Sequence, residues 1–241
     1  MTRIFVPSGS LSGETVTLTG GDAVHVSAAL RMRAGEHLVL CDGEGCAAEC
    51  VIVSSSPSEV VCRKDHMITG TPELPVRVHL FQALPKSDKF ELIIQKTTEL
   101  GVCEIVPVLS ERCISRPDEK SLSRKMQRWS DIAREAAQQS GRAVIPAIRP
   151  AAAFTAAAGS LPAGGTYLFC DEDERTVPLR AALSRAADDI YVFVGPEGGW
   201  SPREREFARS CGISPVTFGP RILRCETAPL YVMSCIGYEF G

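Results

Sequence analysis

The sequence predicts a two-part α/β chain: a β-rich segment over residues 1–72, then an α/β domain with a largely parallel sheet over 73–241. Three observations carry this. Short alternating or β-branched runs recur through residues 1–72, separated by turn residues. A Thr69-Gly70-Thr71-Pro72 stretch, with Pro75 just after it, punctuates the chain. Beyond it, apolar strand-like runs alternate with helical periodicity, the pattern of helices laid over a parallel sheet.

In the first part the predicted strands are Ile4-Phe5-Val6, Thr15 to Leu18, His37 to Leu40, Ala48 to Val53 and Glu59 to Cys62, which together make a small barrel or sandwich. Gly20-Gly21-Asp22 and Ala34-Gly35-Glu36 are turn signals, and Asp42-Gly43-Glu44-Gly45 reads as a hairpin turn. Asp22 to Arg33 fits a short helix capped by Asp22, with Val26, Ala29 and Leu30 on one face. In the second part Val76 to Phe81 is the first strand. The helix after it is capped by Ser87, carries Phe90, Ile93, Thr97 and Leu100 on one face and stops at Gly101. A strand from Glu104 to Leu109 precedes a long helix from about Ser121 to Ser140, whose apolar stripe is Leu122, Met126, Trp129, Ala133 and Ala136. Tyr167 to Cys170 and Ile190 to Val194 are nearly all apolar, as strands covered on both faces must be. Ser201-Pro202-Arg203-Glu204 is a capping box with Pro at the first helical position, and Gly212 ends that helix. A short strand at Val216 to Phe218 leads to a last helix, Ala228 to Tyr238, which is apolar nearly all round and so requires burial in the core or against a partner subunit.

Composition excludes several classes. At 44% hydrophobic the chain has ample side chain to bury, which excludes disorder as its main state. No apolar run approaches the ~18 residues of a membrane span, and the N-terminus lacks the apolar core of a signal peptide. The expectation is a cytoplasmic protein with no membrane partner. The ten cysteines are scattered from Cys41 to Cys235 with no C-x-x-C pair, and the four histidines show no ligand spacing with them. They read as reduced, mostly buried thiols, and no metal site is expected. The net charge of −3 argues at first against a nucleic-acid partner. Yet residues 110–149 hold 9 basic against 5 acidic side chains, so the slight overall acidity hides a basic centre.

Ligands of open α/β sheets bind beyond the carboxyl ends of the strands. Two loops there are unusual. Gly195-Pro196-Glu197-Gly198-Gly199-Trp200 directly follows a predicted strand, and its glycines permit close backbone approach to a ligand. It is not a P-loop, because no Lys-Ser/Thr follows, and it lacks the spacing of a dinucleotide fingerprint. The second loop, Gly219 to Pro229, sets Arg221, Arg224 and Glu226 around an apolar pair, in a segment too irregular for plain core packing.

GPEGGWS at 195–201 paired with GPRILRCETAP at 219–229 resembles the SPOUT class of S-adenosylmethionine-dependent RNA methyltransferases. Arg3-Ile4-Phe5-Val6, the run from Leu84-Pro85-Lys86-Ser87-Asp88-Lys89 into Ile94 to Gly101, and Glu135 to Arg142 narrow the resemblance to the RsmE family, which methylates N3 of a uridine in 16S ribosomal RNA. The resemblance implies a PUA-like RNA-binding β-barrel over 1–72, a SPOUT domain with a C-terminal trefoil knot over 73–241, and a homodimer. The knot would be an exception to the rule that chains are unknotted. It also implies that S-adenosylmethionine, the methyl donor, is held by three loops. These contribute Phe169 and Asp171, then Gly195, Pro196, Glu197, Gly198 and Gly199, then Leu223, Thr227 and Ala228.

Methylation at uracil N3 requires loss of the N3 proton or stabilisation of the uracil anion. Arg224 is the candidate for stabilising that charge on the flanking oxygens, and Glu226 is the candidate base or the orienter of Arg224. A side chain at Gly198 is expected to fill the space of close approach to the donor. Arg3, Arg31 and Arg33 in the first part, and Arg112, Arg116 and Arg142 in the second, are the candidate RNA contacts, with Arg124 and Arg128 nearby. Two other classes stay open: an RNA-binding module with a silent α/β domain, and a small-molecule enzyme using the Gly195 loop for a nucleotide phosphate. Binding of the methyl donor separates the first of these from a transferase.

Overall fold

The fold was read from a computed structural model of the protein, which describes residues 1–70, 72–184 and 186–241. Thr71, within the predicted linker, lies outside the described residues. The chain divides into two compact units: Met1–Glu73 together with Ala137–Ile145, and Leu74–Ala136 together with Pro146–Gly241. The predicted second domain ran unbroken over 73–241. Here Glu73 and the 137–145 segment belong to the first unit instead, because the segment's apolar side chains and the partner of Glu73 pack there.

The first unit is built on five strands: β1 (Arg3–Phe5), β2 (Thr15–Thr19), β3 (His37–Cys41), β4 (Ala47–Ser55) and β5 (Glu59–Met67). Their order in the sheet is β1-β3-β4-β5-β2, with β1 parallel to β3 and the other pairs antiparallel. β2 alternates strictly, burying Val16 and Leu18, so one of its faces meets the core and the other is exposed. Register shifts between Glu49 and Cys50, and between Ile52 and Ser54, mark irregularities of the kind that bend a strand. The Asp42–Gly45 turn joins antiparallel β3 and β4 as a hairpin, and Asp42 Oδ1 accepts the backbone N–H groups of Glu44 and Cys46. The predicted helix at 22–33 is shifted. α1 (Gly20–Val24) runs directly into a π turn at His25–Ala29, and its cap position is Thr19 rather than Asp22. Val26 is buried but Leu30 is exposed, because Arg31 adopts a φ of 57° and turns the chain out of the helix. A second small core joins Phe5, Val39, Cys41 and Ala47 to Ala137 and Ala143.

The second unit is a seven-stranded sheet in which every pair is parallel. Its strands are β6 (Arg77–Ala83), β7 (Glu104–Leu109), β8 (Ala147–Ile148), β9 (Ala152–Ala153), β10 (Thr166–Cys170), β11 (Asp189–Val194) and β12 (Ser214–Val216). Their order is β12-β10-β11-β6-β7-β8, with β9 also on β7. Leu80, Ile190, Val192 and Phe193 are fully buried in the central strands, as the apolar runs require.

The helices are α2 (Lys89–Glu99), α3 (Glu119–Gln139), α4 (Phe154–Gly159), α5 (Leu179–Leu183), α6 (Pro202–Ser210) and α7 (Thr227–Phe240). α2 begins after Asp88, not at a Ser87 cap, because Ser87 takes a left-handed φ of 55°. α3 starts earlier than predicted: Asp118 Oδ1 accepts the Ser121 N–H and caps it. Its Trp129 packs on Phe90 of α2 with ring centroids 4.4 Å apart. α6 forms as predicted, with the reciprocal Ser201–Glu204 box and Pro202 in its first turn. β12 lies two residues before the predicted strand, since Thr217 instead bridges to Pro178. α7 is buried on one side only. It buries Ala228, Val232, Met233 and Ile236, but in the single chain Tyr231, Ser234 and Tyr238 are exposed.

Candidate active site

A cavity of about 390 Å³ opens where β10, β11 and β12 end. Three connections wall it: the segment after Cys170, the Gly195 loop after Val194, and the long loop from Thr217 to Ala228. The wall is a lattice of local constraints. Trp200 is fully buried, and its indole Nε1 donates to the Cys170 carbonyl at 3.0 Å, pinning the far end of the Gly195 loop to β10. A side chain at Gly195 would meet that indole at 3.2 Å. Gly199 takes a φ of 63°, and a Cβ there would overlap the Glu172 carboxylate.

Charged groups ring the cavity. Asp171 is buried and held by Arg205, with Nε 2.9 Å from Oδ2 and Nη2 3.0 Å from Oδ1. Arg205 also reaches Asp173 at 2.8 Å. Burial pushes the Glu172 carboxyl above its ordinary pKa, outweighing the pull of Arg205. On the other side the Lys89 ammonium lies 3.1 Å from Glu226 Oε2 and 3.3 Å from Glu197 Oε1. The Cys225 thiol donates to Glu226 Oε2 at 3.2 Å. Burial, then that bond, push Cys225 up to about 12, so it stays a thiol and a donor. Burial works against ionisation of Glu226, but the Cys225 bond, its own backbone N–H and Lys89 hold it below the ordinary carboxylate range.

The structure brings together many of the residues singled out from sequence. Asp171, Gly195, Pro196, Glu197, Leu223, Arg224 and Ala228 all line the cavity. Gly198, Gly199, Glu226 and Thr227 flank it in the same loops. Phe169 does not face it: its ring is buried between Trp200 and Phe154, at centroid distances of 4.8 and 6.1 Å. Gly198 is exposed, and a Cβ there would meet Arg112 Cβ at 3.4 Å, an ordinary contact. Glu172 and Arg175 also line the cavity and were not singled out from sequence; Lys89, which lines it too, stood in a family motif but was given no role.

The candidate RNA-contacting arginines fare differently. Arg31 and Arg33 are exposed in the first unit, and Arg3 is half-buried with Nη1 3.3 Å from Cys41 Sγ. Arg112 is exposed and donates to the Gly198 carbonyl at 2.9 Å, beside the cavity loop. Arg116 is spent on its own loop, donating to the carbonyls of Ser110, Glu111 and Cys113. Arg142 is a correction. It is 3% exposed, and its guanidinium grips Glu73 Oε2 at 2.6 and 2.9 Å, so it belongs to the interior of the first unit and not to an RNA-facing surface. Arg128 and Arg149 are likewise ion-paired, with Glu91 and Glu104, which dilutes the basic centre. Among the described residues no three His, Cys, Asp or Glu side chains converge as a metal site would need.

Residues 72–237 match the family described as the RNA methyltransferase domain. The chain is 33% identical over 236 residues to the ribosomal RNA small subunit methyltransferase E of Bacillus subtilis, covering 93% of this chain and 90% of that protein. It is 30% identical over 239 residues to the enzyme of the same name from Synechocystis, covering 97% and 76%. The crystal structure of ribosomal RNA small subunit methyltransferase E from Neisseria gonorrhoeae, bound to S-adenosyl methionine, superimposes with a TM-score of 0.91 at 33% identity, covering all of this chain and 98% of that one.

Proposed function

This chain belongs to the ribosomal RNA small subunit methyltransferase E family, and on that premise we propose that it transfers a methyl group from S-adenosylmethionine to N3 of a uridine in 16S ribosomal RNA. The observation that carries the reading is the cavity at the ends of β10, β11 and β12, with the Gly195 loop on one wall and Arg224 on another. The residues present fit such a donor. About 390 Å³ suits a small-molecule site, and Val194, Pro196, Leu223 and Ala228 give it apolar walls. The overlap that a Cβ at Gly199 would make shows how closely backbone and Glu172 approach beside it.

S-adenosylmethionine, when bound, supplies a methyl group on a positively charged sulfur. The chain's own residues bind, orient and manage the proton. The loops from Gly195 to Gly199 and from Leu223 to Ala228 form the donor slot, with Asp171 fixed by Arg205 at its edge. Arg224 lines the cavity with an exposed side chain, in reach of an incoming base, and stabilises negative charge that spreads onto the uracil oxygens. Glu226, held as a carboxylate by Cys225 and Lys89, is a poor acceptor for the N3 proton. Charge stabilisation by Arg224 therefore carries more of the rate than basicity of Glu226, and the N3 proton leaves to solvent water as the anion forms.

In this reading the first unit is a PUA-like RNA-binding barrel, which its five-stranded sheet with bulged β4 and β5 supports. The second unit is a SPOUT domain with a C-terminal trefoil knot, supported by the all-parallel sheet and by a cavity made from three loops at its carboxyl edge. The exposed face of α7, with Tyr231 and Tyr238, supports a homodimer. Arg3, Arg31, Arg33 and Arg112 remain the proposed RNA contacts, and a ribosomal RNA substrate supports a cytoplasmic location. No helix among the described residues is long and apolar enough to cross a membrane.

The test assays Arg224→Ala and Glu226→Gln on 16S RNA from cells lacking the gene, with N3-methyluridine read by mass spectrometry and donor affinity by calorimetry. Arg224→Ala is expected to lower kcat by about 10²-fold while donor affinity holds, in line with loss of one charge-stabilising donor. Methylation at the wild-type rate in both variants, or no methyluridine made by the wild type, refutes the reading.

A further inference from the structure

Lys89 is the first residue of α2, and its ammonium stands where the two cavity loops meet. It lies 3.3 Å from Glu197 Oε1 in the first loop, 3.1 Å from Glu226 Oε2 in the second, and 3.8 Å from Cys225 Sγ. Each carboxylate is anchored a second time: Glu197 Oε1 accepts the Lys86 backbone N–H at 3.0 Å, and Glu226 Oε2 accepts the Cys225 thiol at 3.2 Å. The Lys89 side chain is about a third exposed and itself lines the cavity. We propose that Lys89 is a positioning residue of the methyl-transfer site, a shared cation that holds Glu197 against Glu226 and so sets the spacing of the two donor loops. This rests on the reading that the cavity takes S-adenosylmethionine.

The physical case is a three-body one. Two carboxylates on one ammonium lie close enough to repel strongly once the cation is gone. Lys89 is the cation that answers Glu197 and Glu226 together, and Cys225, held as a thiol, adds a neutral donor to the same cluster. The groups facing Glu226 are Lys89 from α2, Cys225 from its own loop, and Glu197 across the shared ammonium. Those facing Glu197 are Lys89 and the Lys86 N–H. Removing the charge takes away the group bonded to both carboxylates while their separate anchors, the Lys86 N–H and the Cys225 thiol, remain, so the tie between the loops is lost and the Glu226 carboxyl becomes harder to ionise. A lysine suits this role because a compact ammonium accepts partners from several directions, whereas a guanidinium presents a flat fork.

The test compares Lys89→Met, which keeps the aliphatic stem, with Lys89→Arg, which restores the charge. In the chain without donor, the side-chain carboxyl carbon of Glu226 is titrated by NMR. Lys89→Met is expected to move its midpoint up by about one pH unit, and Lys89→Arg to return most of that shift. By calorimetry, Lys89→Met is expected to weaken S-adenosylmethionine binding about tenfold, and Lys89→Arg to recover it to within about threefold. An unmoved Glu226 midpoint, or donor affinity that survives loss of the charge, overturns the proposal. If Lys89→Met does not fold, Lys89→Gln takes its place in both measurements: a Glu226 midpoint that stays at the wild-type value overturns the proposal, and one that rises supports it. Failure of the wild type to bind donor would instead refute the functional reading, while the Glu226 shift still reports on Lys89.

Discussion

At Gly199 the backbone is left-handed and the space for a side chain is taken, with the Glu172 carboxyl carbon 2.7 Å from a built Cβ. Gly199→Ala is therefore expected to destabilise the second unit by about 2 kcal/mol, part from the unfavourable φ and part from displacing Glu172, and to weaken donor binding. Thermal melts and calorimetry check this; Gly198→Ala, which meets Arg112 at ordinary contact distance, is the comparison and is expected to cost far less. Two adjacent glycines in a sequence look alike. Only the fold distinguishes the one that needs a positive φ from the one that merely tolerates exposure. The same limit hid the partners of Lys89 and Arg142. Nothing near either residue announces that Glu197, Glu226 or Glu73 will stand beside it, since those pairings join residues far apart along the chain. By contrast, Arg224 and the Gly195 loop were legible, because strand-end position follows from the local strand–loop–helix pattern.

Elements whose signals are local were read best. The start of α6 follows from four consecutive residues, and the structure adds that Glu204 serves two masters. Its Oε2 accepts the Ser201 N–H at 2.9 Å, and its Oε1 accepts the Glu111 N–H at 2.8 Å, tying α6 to the loop after β7. Glu204 is buried, so Glu204→Ala strands two backbone donors and is expected to cost about 3 kcal/mol. Ser201→Ala removes one acceptor and is expected to cost about 1 kcal/mol. Denaturant melts of the two variants check the ordering. Elsewhere the missing signals have physical reasons. α4 and α5 are too short to show a period, and their apolar contacts rather than intrinsic propensity hold them. The cap of α2 falls at Asp88, one residue past the predicted Ser87, because Ser87 is left-handed in the turn out of β6, which no cap preference foresees. α7 is apolar nearly all round in sequence yet leaves Tyr231 and Tyr238 exposed in the single chain, so composition alone does not tell which of its faces the core covers.

For the molecule as a whole, one coupling of folding to pH lies away from the cavity, where β6, β7 and β11 begin. His79 donates to Glu104 Oε1 at 2.8 Å and to Asp189 Oδ1 at 3.0 Å, and stacks on Tyr191 with centroids 4.4 Å apart. Burial opposes its charge, but bonds with Cys103, Glu104 and Asp189 outweigh burial and raise it to about 10. Arg77, then His79, hold Asp189 down at about 2. A raised pKa stabilises the folded state fully below the free histidine value of about 6.5, and the gain is lost as pH climbs through about 10. The depressed Asp189 acts oppositely, its gain present above about 4 and lost as pH falls toward 2. Wild-type melting temperature is thus expected to fall between pH 7 and 10, and His79→Gln to flatten that fall; parallel slopes would exclude His79 as the cause. On the RNA side, reversing the charge of Arg31 and Arg33 together is expected to shallow the salt dependence of rRNA binding by about 0.7–0.9 for each lost phosphate contact. An unchanged slope removes both from the interface.

The return of residues 137–145 to the first unit also bears on how the protein is made. Glu73 accepts from Arg142 and from the N–H groups of Ala143 and Val144, and Ala137 and Ala143 complete the small core around Phe5. In chain order Ala137 lies at the end of α3, and Arg142, Ala143 and Val144 follow β6, α2, β7 and α3. The first unit is therefore expected to complete its packing only once the 137–145 segment has been made. A fragment ending at residue 73 is expected to give the collapsed amide spectrum of an incompletely folded chain. Adding a 137–145 peptide in trans is expected to sharpen that spectrum, and an already well-dispersed spectrum for the fragment alone would show that the late segment is dispensable.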